Sequence, residues 1–139
     1  TVGDSITDGW GSTDSANQRW PNHFARRLFS DNSIDKYAIV NAGISGNRVT
    51  TQGNARFGQN LQARFERDVL AMSNVSHMIL MEGINDIGMS PSGELITAEE
   101  VIAGYSRSSP APTREESKSL APHSLLLKVL PTILPLVKW

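Results

Sequence analysis

No cysteine occurs among the 139 residues of the chain, so disulfide bonds, thiolate chemistry and cysteine-ligated metal sites are excluded. An excess of charge of either sign is also lacking, because the formal net charge is −1. We therefore expect neither a nucleic acid nor a membrane surface as partner. Long hydrophobic runs are missing as well: the most apolar stretch, 125–139, is too short to span a bilayer and is interrupted by Pro131 and Pro135.

What is present suits one globular domain, since 39% of the residues are hydrophobic and can supply a single core. The chain does not open with the charged start and apolar run of a signal peptide. Thr1 and Val2 are instead typical of the end of a strand, and Gly3-Asp4-Ser5 follows at once. We expect the chain to start within an element, with the earlier part of its first strand missing.

From Thr1 to about Tyr105, strand and helix patterns alternate. The patterns predict, in chain order, a helix on Trp20, Phe24 and Leu28 behind Pro21, a strand at 37–41, a helix on Leu61, Phe65 and Val69 with Arg64 on another face, a strand at 77–81 buried on both sides, and a helix opened by the capping box Thr97-Ala98-Glu99-Glu100. Such alternation predicts a parallel sheet with helices on both faces.

Three polar clusters fall where strands are expected to end and helices to begin: Gly3-Asp4-Ser5, Gly43-Ile44-Ser45-Gly46-Asn47 and Gly83-Ile84-Asn85-Asp86. Open α/β sheets bind their ligands at this edge. Ester hydrolysis needs a nucleophile and donors aimed at the developing oxyanion, and Ser5, Gly46 and Asn85 offer both. Each residue also has an ordinary structural interpretation: Ser5 as a helix cap, Gly46 as a turn glycine, Asn85 as a loop cap and Asp86 as the residue that orders its loop.

Order and spacing together are more specific. Residues 3–9 resemble the first sequence block of the SGNH (GDSL) hydrolases, 41–47 resemble the second block, and 83–86 resemble the third. The similarity is greatest to the branch of acetylxylan-esterase-like carbohydrate esterases. It implies a flavodoxin-like three-layer α/β/α fold with a parallel sheet, the SGNH hydrolase fold, incomplete in this chain.

The resemblance also implies a function. Ser5 would be the nucleophile and an oxyanion donor, while Gly46 and Asn85 would complete the oxyanion hole. The substrate would be an ester of a small acyl group, such as acetyl, and an acetylated carbohydrate is one such substrate. No metal or organic cofactor is expected, no oligomeric state is indicated, and the family is compatible with a secreted parent.

The chain departs from the family in its fourth block, Asp-x-x-His, where the histidine is the base and the aspartate orients it. The chain has three histidines, His23, His77 and His123, and none has an aspartate three residues before it. The catalytic Asp and His are thus absent from this chain. Without a base Ser5 keeps its proton at neutral pH, and we expect the chain to be inactive or nearly so.

After Arg107 the pattern changes, and we interpret residues 106–139 as an out-of-frame tail rather than a domain, with 1–105 as the N-terminal part of the hydrolase domain. Shifted by one nucleotide, the codons permitted by 108–113 allow Leu-Ile-Ala-Arg-Ala-His. Those permitted by 114–130 allow Glu-Arg-Gly-Ile-Lys-Val-Phe-Gly-Ala-Thr-Leu-Thr-Pro-Phe-Glu-Gly-Ala, which resembles the family at that point. The alternative is a divergent tail behind a flexible linker.

Two other functions stay open. One is a non-catalytic remnant of this fold that binds a carbonyl or sulfate in its oxyanion pocket. The other is phosphate binding by the glycines between Gly3 and Gly11, although no Gly-Lys-[Ser/Thr] motif occurs there. Trp10 and Trp20 are candidates for a sugar-binding platform or for core positions. A domain without its later strands and helices is expected to fold marginally.

Overall fold

The computed structural model describes residues 1–33, 35–90, 96–108 and the backbone of 126–129. The strands are β1 (Val2–Gly3), β2 (Ala42–Gly43), β3 (His77–Met81) and β4 (Leu126–Val129). They form a parallel sheet in the order β2-β1-β3-β4, with Gly3 opposite both Gly43 and Met81. The expected α/β fold with a parallel sheet is confirmed. Because the strands run parallel, the loops after β1, β2 and β3 leave from the same edge.

The helices that connect the strands are α1 (Ser5–Asp8), α2 (Trp20–Ser30), α3 (Leu61–Phe65), α4 (Ile84–Gly88) and α5 (Ala98–Arg107). A 3-10 turn occupies Ala55–Phe57, and α3 continues as a π-helical turn over Glu66–Leu70. The three helices that apolar periodicity predicts are therefore all present as α2, α3 and α5. The short helices α1 and α4 follow directly from the strand ends.

Local sequence explains where the longer helices start. Pro21 occupies the first turn of α2, where its missing N–H costs no hydrogen bond. The capping box of α5 forms as expected: the Thr97 side chain accepts from the backbone N–H of Glu100 at 3.2 Å, and the Glu100 carboxylate accepts from the Thr97 N–H at 2.8 Å. Asn60 caps α3 by accepting from the N–H of Ala63 at 2.9 Å.

A single apolar cluster joins the central strands to α3 and α5. Its buried members are Val2, Val49, Leu61, Phe65, Val69, Met78, Leu80 and Val101. The cluster packs β1 and β3 against α3 and α5. The loops after these strands consequently start from fixed points.

Two expectations about the strands are wrong. The segment 37–41 is not a strand, and pairing with β1 is limited to Ala42–Gly43. Tyr37, Ala38 and Val40 are exposed, so this segment has no apolar face to bury against the sheet. The Thr1 nitrogen donates to the Val40 carbonyl at 2.7 Å. In β3, Met78 and Leu80 are buried, whereas Ile79 and Met81 are half-buried, so only one face of the strand packs fully into the core.

The segment interpreted as an out-of-frame tail is described in two places. Residues 106 and 107 complete α5, and Ser108 caps it with its N–H bonded to the Gly104 carbonyl at 3.2 Å. The backbone of 126–129 forms β4 beside β3. Two predicted features lie outside the described residues: the linker after Ser108, and His123. Among the helices of the described ranges, none has the length and apolarity needed to cross a bilayer.

Candidate active site

Ser5 is the first residue of α1, immediately after β1. The cap of this helix is Asp4, whose buried carboxylate accepts from the N–H of Ile6 at 2.9 Å. The capping role considered for Ser5 thus belongs to its neighbour, and this interpretation of Ser5 is wrong. Neither the hydroxyl nor the backbone N–H of Ser5 is hydrogen-bonded to any part of the chain that the structure describes. The serine is half-buried, with its donors and acceptor unused.

Gly46 lies in the loop after β2. Its φ of 77° is in the left-handed region, which glycine adopts without strain. A Cβ at this position would collide with the ring of Phe57, so the site has room for glycine alone. Within the described residues its N–H has no acceptor. The backbone N–H of Gly46 is therefore an unused donor in a turn that only glycine fits.

Asn85 lies in α4, four residues after the end of β3. Its side-chain Nδ2 donates to the carbonyl of Asn47 at 2.9 Å, which fixes the amide against the loop after β2. A primary amide has two N–H groups, and this bond uses one of them. The second N–H has no acceptor among the described residues. The half-buried Asn85 side chain therefore has one oriented N–H that is not hydrogen-bonded.

Asp86 orders the loop after β2, whereas its sequence position suggested that it orders its own loop, after β3. It is fully buried, and its carboxylate accepts from the N–H of Val49 at 2.7 Å and from the N–H and hydroxyl of Thr50 at 3.0 and 3.1 Å. Hydrogen bonds to an ionised acceptor are among the stronger ones in proteins. Asp86 and Asn85 together bind the loop after β2 to the loop after β3.

The first and second loops are tied in the same way. The Asp8 carboxylate accepts from the N–H of Ser45 at 3.2 Å and from its hydroxyl. The Asn41 side chain donates to the Thr7 carbonyl at 2.7 Å. Since Ser45 precedes Gly46 and Asp8 ends the helix that Ser5 begins, these bonds fix the glycine loop relative to the serine.

The Arg64 side chain contacts residues at the ends of β1, β2 and β3. The sequence analysis wrongly predicted that it lies on a face away from the core, since the residue is 0% exposed. Every N–H of its guanidinium has an acceptor: Nε bonds Asn47 Oδ1 at 2.9 Å, Nη1 bonds Ala42 O at 2.7 Å and Asp68 Oδ2 at 3.3 Å, and Nη2 bonds Gly3 O at 3.2 Å and Glu82 Oε2 at 3.5 Å. The spacing contained the signal, because Leu61, Arg64 and Phe65 stand at i, i+3 and i+4 and share one helix face.

Glu82 is a second functional-site neighbour that the sequence analysis missed. It lies between β3 and Gly83 with its side chain fully buried, and its Oε1 has no partner among the described residues. Burial raises the pKa of Glu82 to about 8, while the positive charge of Arg64 acts in the opposite direction. The Tyr105 hydroxyl donates to the Glu82 carbonyl, and burial raises the pKa of Tyr105 to about 12. Both groups are mainly uncharged at neutral pH.

A polar cavity of about 480 Å³ opens beside the first two loops. Asp8, Asp14, Arg19 and Ser45 contribute to its wall, and Trp10 stands at its rim with 83% of its surface exposed. Trp20, by contrast, packs on Phe24 at 6.5 Å between ring centroids and donates to the Thr7 hydroxyl at 3.3 Å. Of the two tryptophans considered as a sugar platform, only Trp10 borders this cavity.

No hydrogen bond joins a histidine to Ser5 in the part of the chain that the structure describes. His23 is on the exposed face of α2, and His77 begins β3, at the opposite end of the strand from the loop that contains Asn85. The His77 ring pairs with the Ser76 hydroxyl and meets Tyr37 edge-on at 5.2 Å. The described residues contain no group of three or more side chains able to hold a metal ion.

Comparison with known proteins bears on this geometry. A search among curated proteins finds none that matches the chain. A scan against protein families matches residues 1–123 to the GDSL-like lipase/acylhydrolase family, so the similarity includes all three loops and runs past Tyr105. The matched region covers most of the 139 residues. The chain belongs to the GDSL-like lipase/acylhydrolase family of ester hydrolases.

Proposed function

We propose that Ser5 is the nucleophile of an esterase that removes small acyl groups, acetyl above all, from alcohols that include carbohydrates. One observation carries the proposal. Ser5 N–H, Gly46 N–H and one N–H of Asn85 leave the same edge of the sheet, and none has an acceptor in the described part of the chain. Oriented donors without partners are what an oxyanion hole requires.

The reaction follows from these roles. Ser5 Oγ attacks the ester carbonyl carbon, a C–O bond forms, and the carbonyl π electrons move to the oxygen, which accepts hydrogen bonds from the three N–H groups. The tetrahedral species then breaks the bond to the alcohol oxygen, which takes up the proton released by the Ser5 hydroxyl, and the acyl group stays on Ser5. Water attacks the acyl-serine in the same manner, one of its protons returns to Ser5 Oγ, and the carboxylic acid is released.

A base is the missing part. An intact triad takes the serine proton with a histidine, and removal of such a triad lowers kcat by about 10⁴ to 10⁶-fold while the oxyanion hole keeps a residual effect. The printed sequence contains no Asp-x-x-His, and neither His23 nor His77 lies beside Ser5. We therefore propose that this polypeptide acylates and turns over slowly, with Ser5 as the residue modified.

The proposal predicts slow, site-specific acetylation. After incubation with 4-nitrophenyl acetate, peptide mass spectrometry is expected to find acetyl on Ser5 ahead of the other serines, with turnover barely above background. Ser5→Ala should remove this signal, whereas Ser73→Ala, at an exposed serine outside the site, should keep it. Random acetylation of exposed serines and lysines, with Ser5 no faster than Ser73, contradicts the nucleophile assignment. Rapid turnover that depends on Ser5 contradicts the missing base.

The frameshift hypothesis predicts a specific gene. Sequencing from the Tyr105 codon past the present stop should show that a one-base shift restores Leu-Ile-Ala-Arg-Ala-His and, further on, Asp-x-x-His. The family match that extends to residue 123 makes the divergent tail a real competitor. Confirmation of the present frame, with no such block downstream, would reject the hypothesis and favour a chain that binds small carbonyl ligands without turnover.

A further inference from the structure

The loop that follows α1 is built to hold one conformation. Gly9 ends the helix in the left-handed region with φ 99°, and the side chain of Arg19 packs where a Cβ would stand. Arg19 Nε donates to the Asp8 carbonyl at 2.6 Å, and the Ser12 hydroxyl donates to the Gly9 carbonyl at 2.5 Å. The loop thus presents Trp10 to solvent from a fixed backbone, in which the N–H of Trp10 bonds to the Ser5 carbonyl at 2.9 Å.

The backbone conformation of the same loop is consistent with a ligand-binding segment. Ser15 has a φ of 56°, in the left-handed region that serine rarely adopts, whereas asparagine, as at Asn17 with a φ of 52°, adopts it more readily. Such conformations are energetically costly and concentrate at ligand-binding segments. Trp10 adds to this cost, because at 83% it has the highest exposed fraction among the large apolar side chains of the described residues.

The cavity beside Trp10 has the chemistry of a site for a neutral, polyhydroxylated ligand. Its volume of about 480 Å³ lies in the range of small-molecule pockets, roughly 300–1,000 Å³. Asp14, the Nη groups of Arg19 and Oδ1 of Asp8 face no hydrogen-bond partner within the described chain. They offer acceptors and donors together, which hydroxyl groups satisfy in both directions.

Other ligand classes fit this wall poorly. Trp10 is its one large apolar side chain, so an acyl chain would find little apolar surface. Two carboxylates face a single guanidinium, which disfavours phosphate or another anion. A pyranose ring has one face of C–H groups and hydroxyls around its edge, and it matches a flat indole surrounded by polar groups.

Two residues of the cavity wall are close in sequence to the reacting groups. Asp8 is three residues after Ser5 on α1, a rise of about 4.5 Å at 1.5 Å per residue. Ser45 directly precedes Gly46 and is bonded to Asp8. We propose that this cavity is the subsite for the sugar portion of the substrate, with Trp10 as its stacking surface. The inference rests on the proposed function and places the alcohol of the ester there.

Binding of unacetylated sugars tests the subsite without any catalysis. Methyl β-D-glucopyranoside and methyl β-D-xylopyranoside are titrated into the full chain, and shifts of the tryptophan indole N–H signals are followed by NMR. We expect saturable, millimolar binding that shifts the Trp10 signal. Trp10→Ala should weaken binding at least tenfold and Trp10→Phe less, whereas Phe29→Ala, which removes another exposed aromatic on α2, should leave it unchanged.

The outcomes separate this inference from the proposed function. Ser5→Ala should still bind the glycosides, because stacking does not need the nucleophile. No binding of either glycoside up to about 50 mM, well above the millimolar affinities expected here, overturns the subsite and leaves the acetylation of Ser5 to be judged by itself. A Trp10 shift with hexanoate but not with glycosides also overturns it, in favour of an acyl-chain site. Glycoside binding without acetylation of Ser5 refutes the esterase alone.

Discussion

Replacement of Arg64 by methionine is expected to lower the free energy of unfolding by about 3–5 kcal/mol, the range for removing one partner of a buried, hydrogen-bonded charge. Methionine fills a similar volume but donates nothing. Oδ1 of Asn47 and the carbonyl of Ala42 would lose the donor that Arg64 supplies while still buried or half-buried, and the Gly3 carbonyl would keep only the Ile44 N–H. A domain of this size has only about 5–15 kcal/mol of stability, so the variant should unfold at a much lower urea concentration than the wild type.

Urea unfolding followed by circular dichroism measures this effect, and Arg67→Met is its matched control. Arg67 lies three residues after Arg64 and also pairs with Asp68, but its side chain is 63% exposed. Ion pairs at the surface contribute about 0–1 kcal/mol, so the control should unfold near the wild-type urea concentration. Arg64→Lys keeps the charge but supplies fewer donors and should fall between the two. Equal midpoints for Arg64→Met and Arg67→Met would show that the network does not stabilise the fold.

Glu82→Gln is expected to make the protein more stable at pH 8 by a few kcal/mol and to change little at pH 4.5. The pKa of Glu82 is about 8 in the folded protein, against an ordinary value of 4.5, because the carboxyl is buried. Between these pH values the folded state holds a proton that the unfolded state has released. Wild-type stability from this group is therefore fully present below about pH 4.5 and is lost as pH rises through 8.

Unfolding free energies at pH 5, 6.5 and 8 provide the measurement. The wild type should lose stability along this series, and glutamine, which cannot titrate, should remove most of the slope. Asp4, whose pKa burial also raises, keeps part of it in both proteins. Glu66→Gln, at an exposed position of the same charge type, should follow the wild-type slope. Parallel curves for Glu82→Gln and the wild type would mean that Glu82 is ionised in the folded protein at neutral pH.

The features that sequence predicted best are the local ones. Helix α5 is fully specified by Thr97, Glu100 and an apolar face, and the start of α2 by Pro21, because caps and periodicity act within a few residues. The three loops were placed at one sheet edge by a rule of parallel topology. The roles of Ser5, Gly46 and Asn85 rested on resemblance to a family and await the acetylation experiment.

The features that sequence missed depend on distant partners. The bounds of the strand at Ala42–Gly43 depend on its pairing with β1, which lies more than thirty residues earlier in the chain. Arg64 is buried because its acceptors on β1, β2 and β3 come together only in the folded state. A charged side chain on an apolar helix face was the one local sign of this, and the helical pattern of the apolar residues assigned Arg64 to another face.

The position of β1 in the sheet affects the order in which the protein can fold as it leaves the ribosome. β1 precedes β2 and β3 in the chain yet lies between them in the sheet, and β3 begins only at His77. Until that residue has been synthesised, β1 lacks one of its two neighbours. The loop that contains Ser5 therefore remains hydrated until β3 has been made. Contacts this distant along a chain form slowly, so we expect the nucleophile to reach its working geometry late in folding.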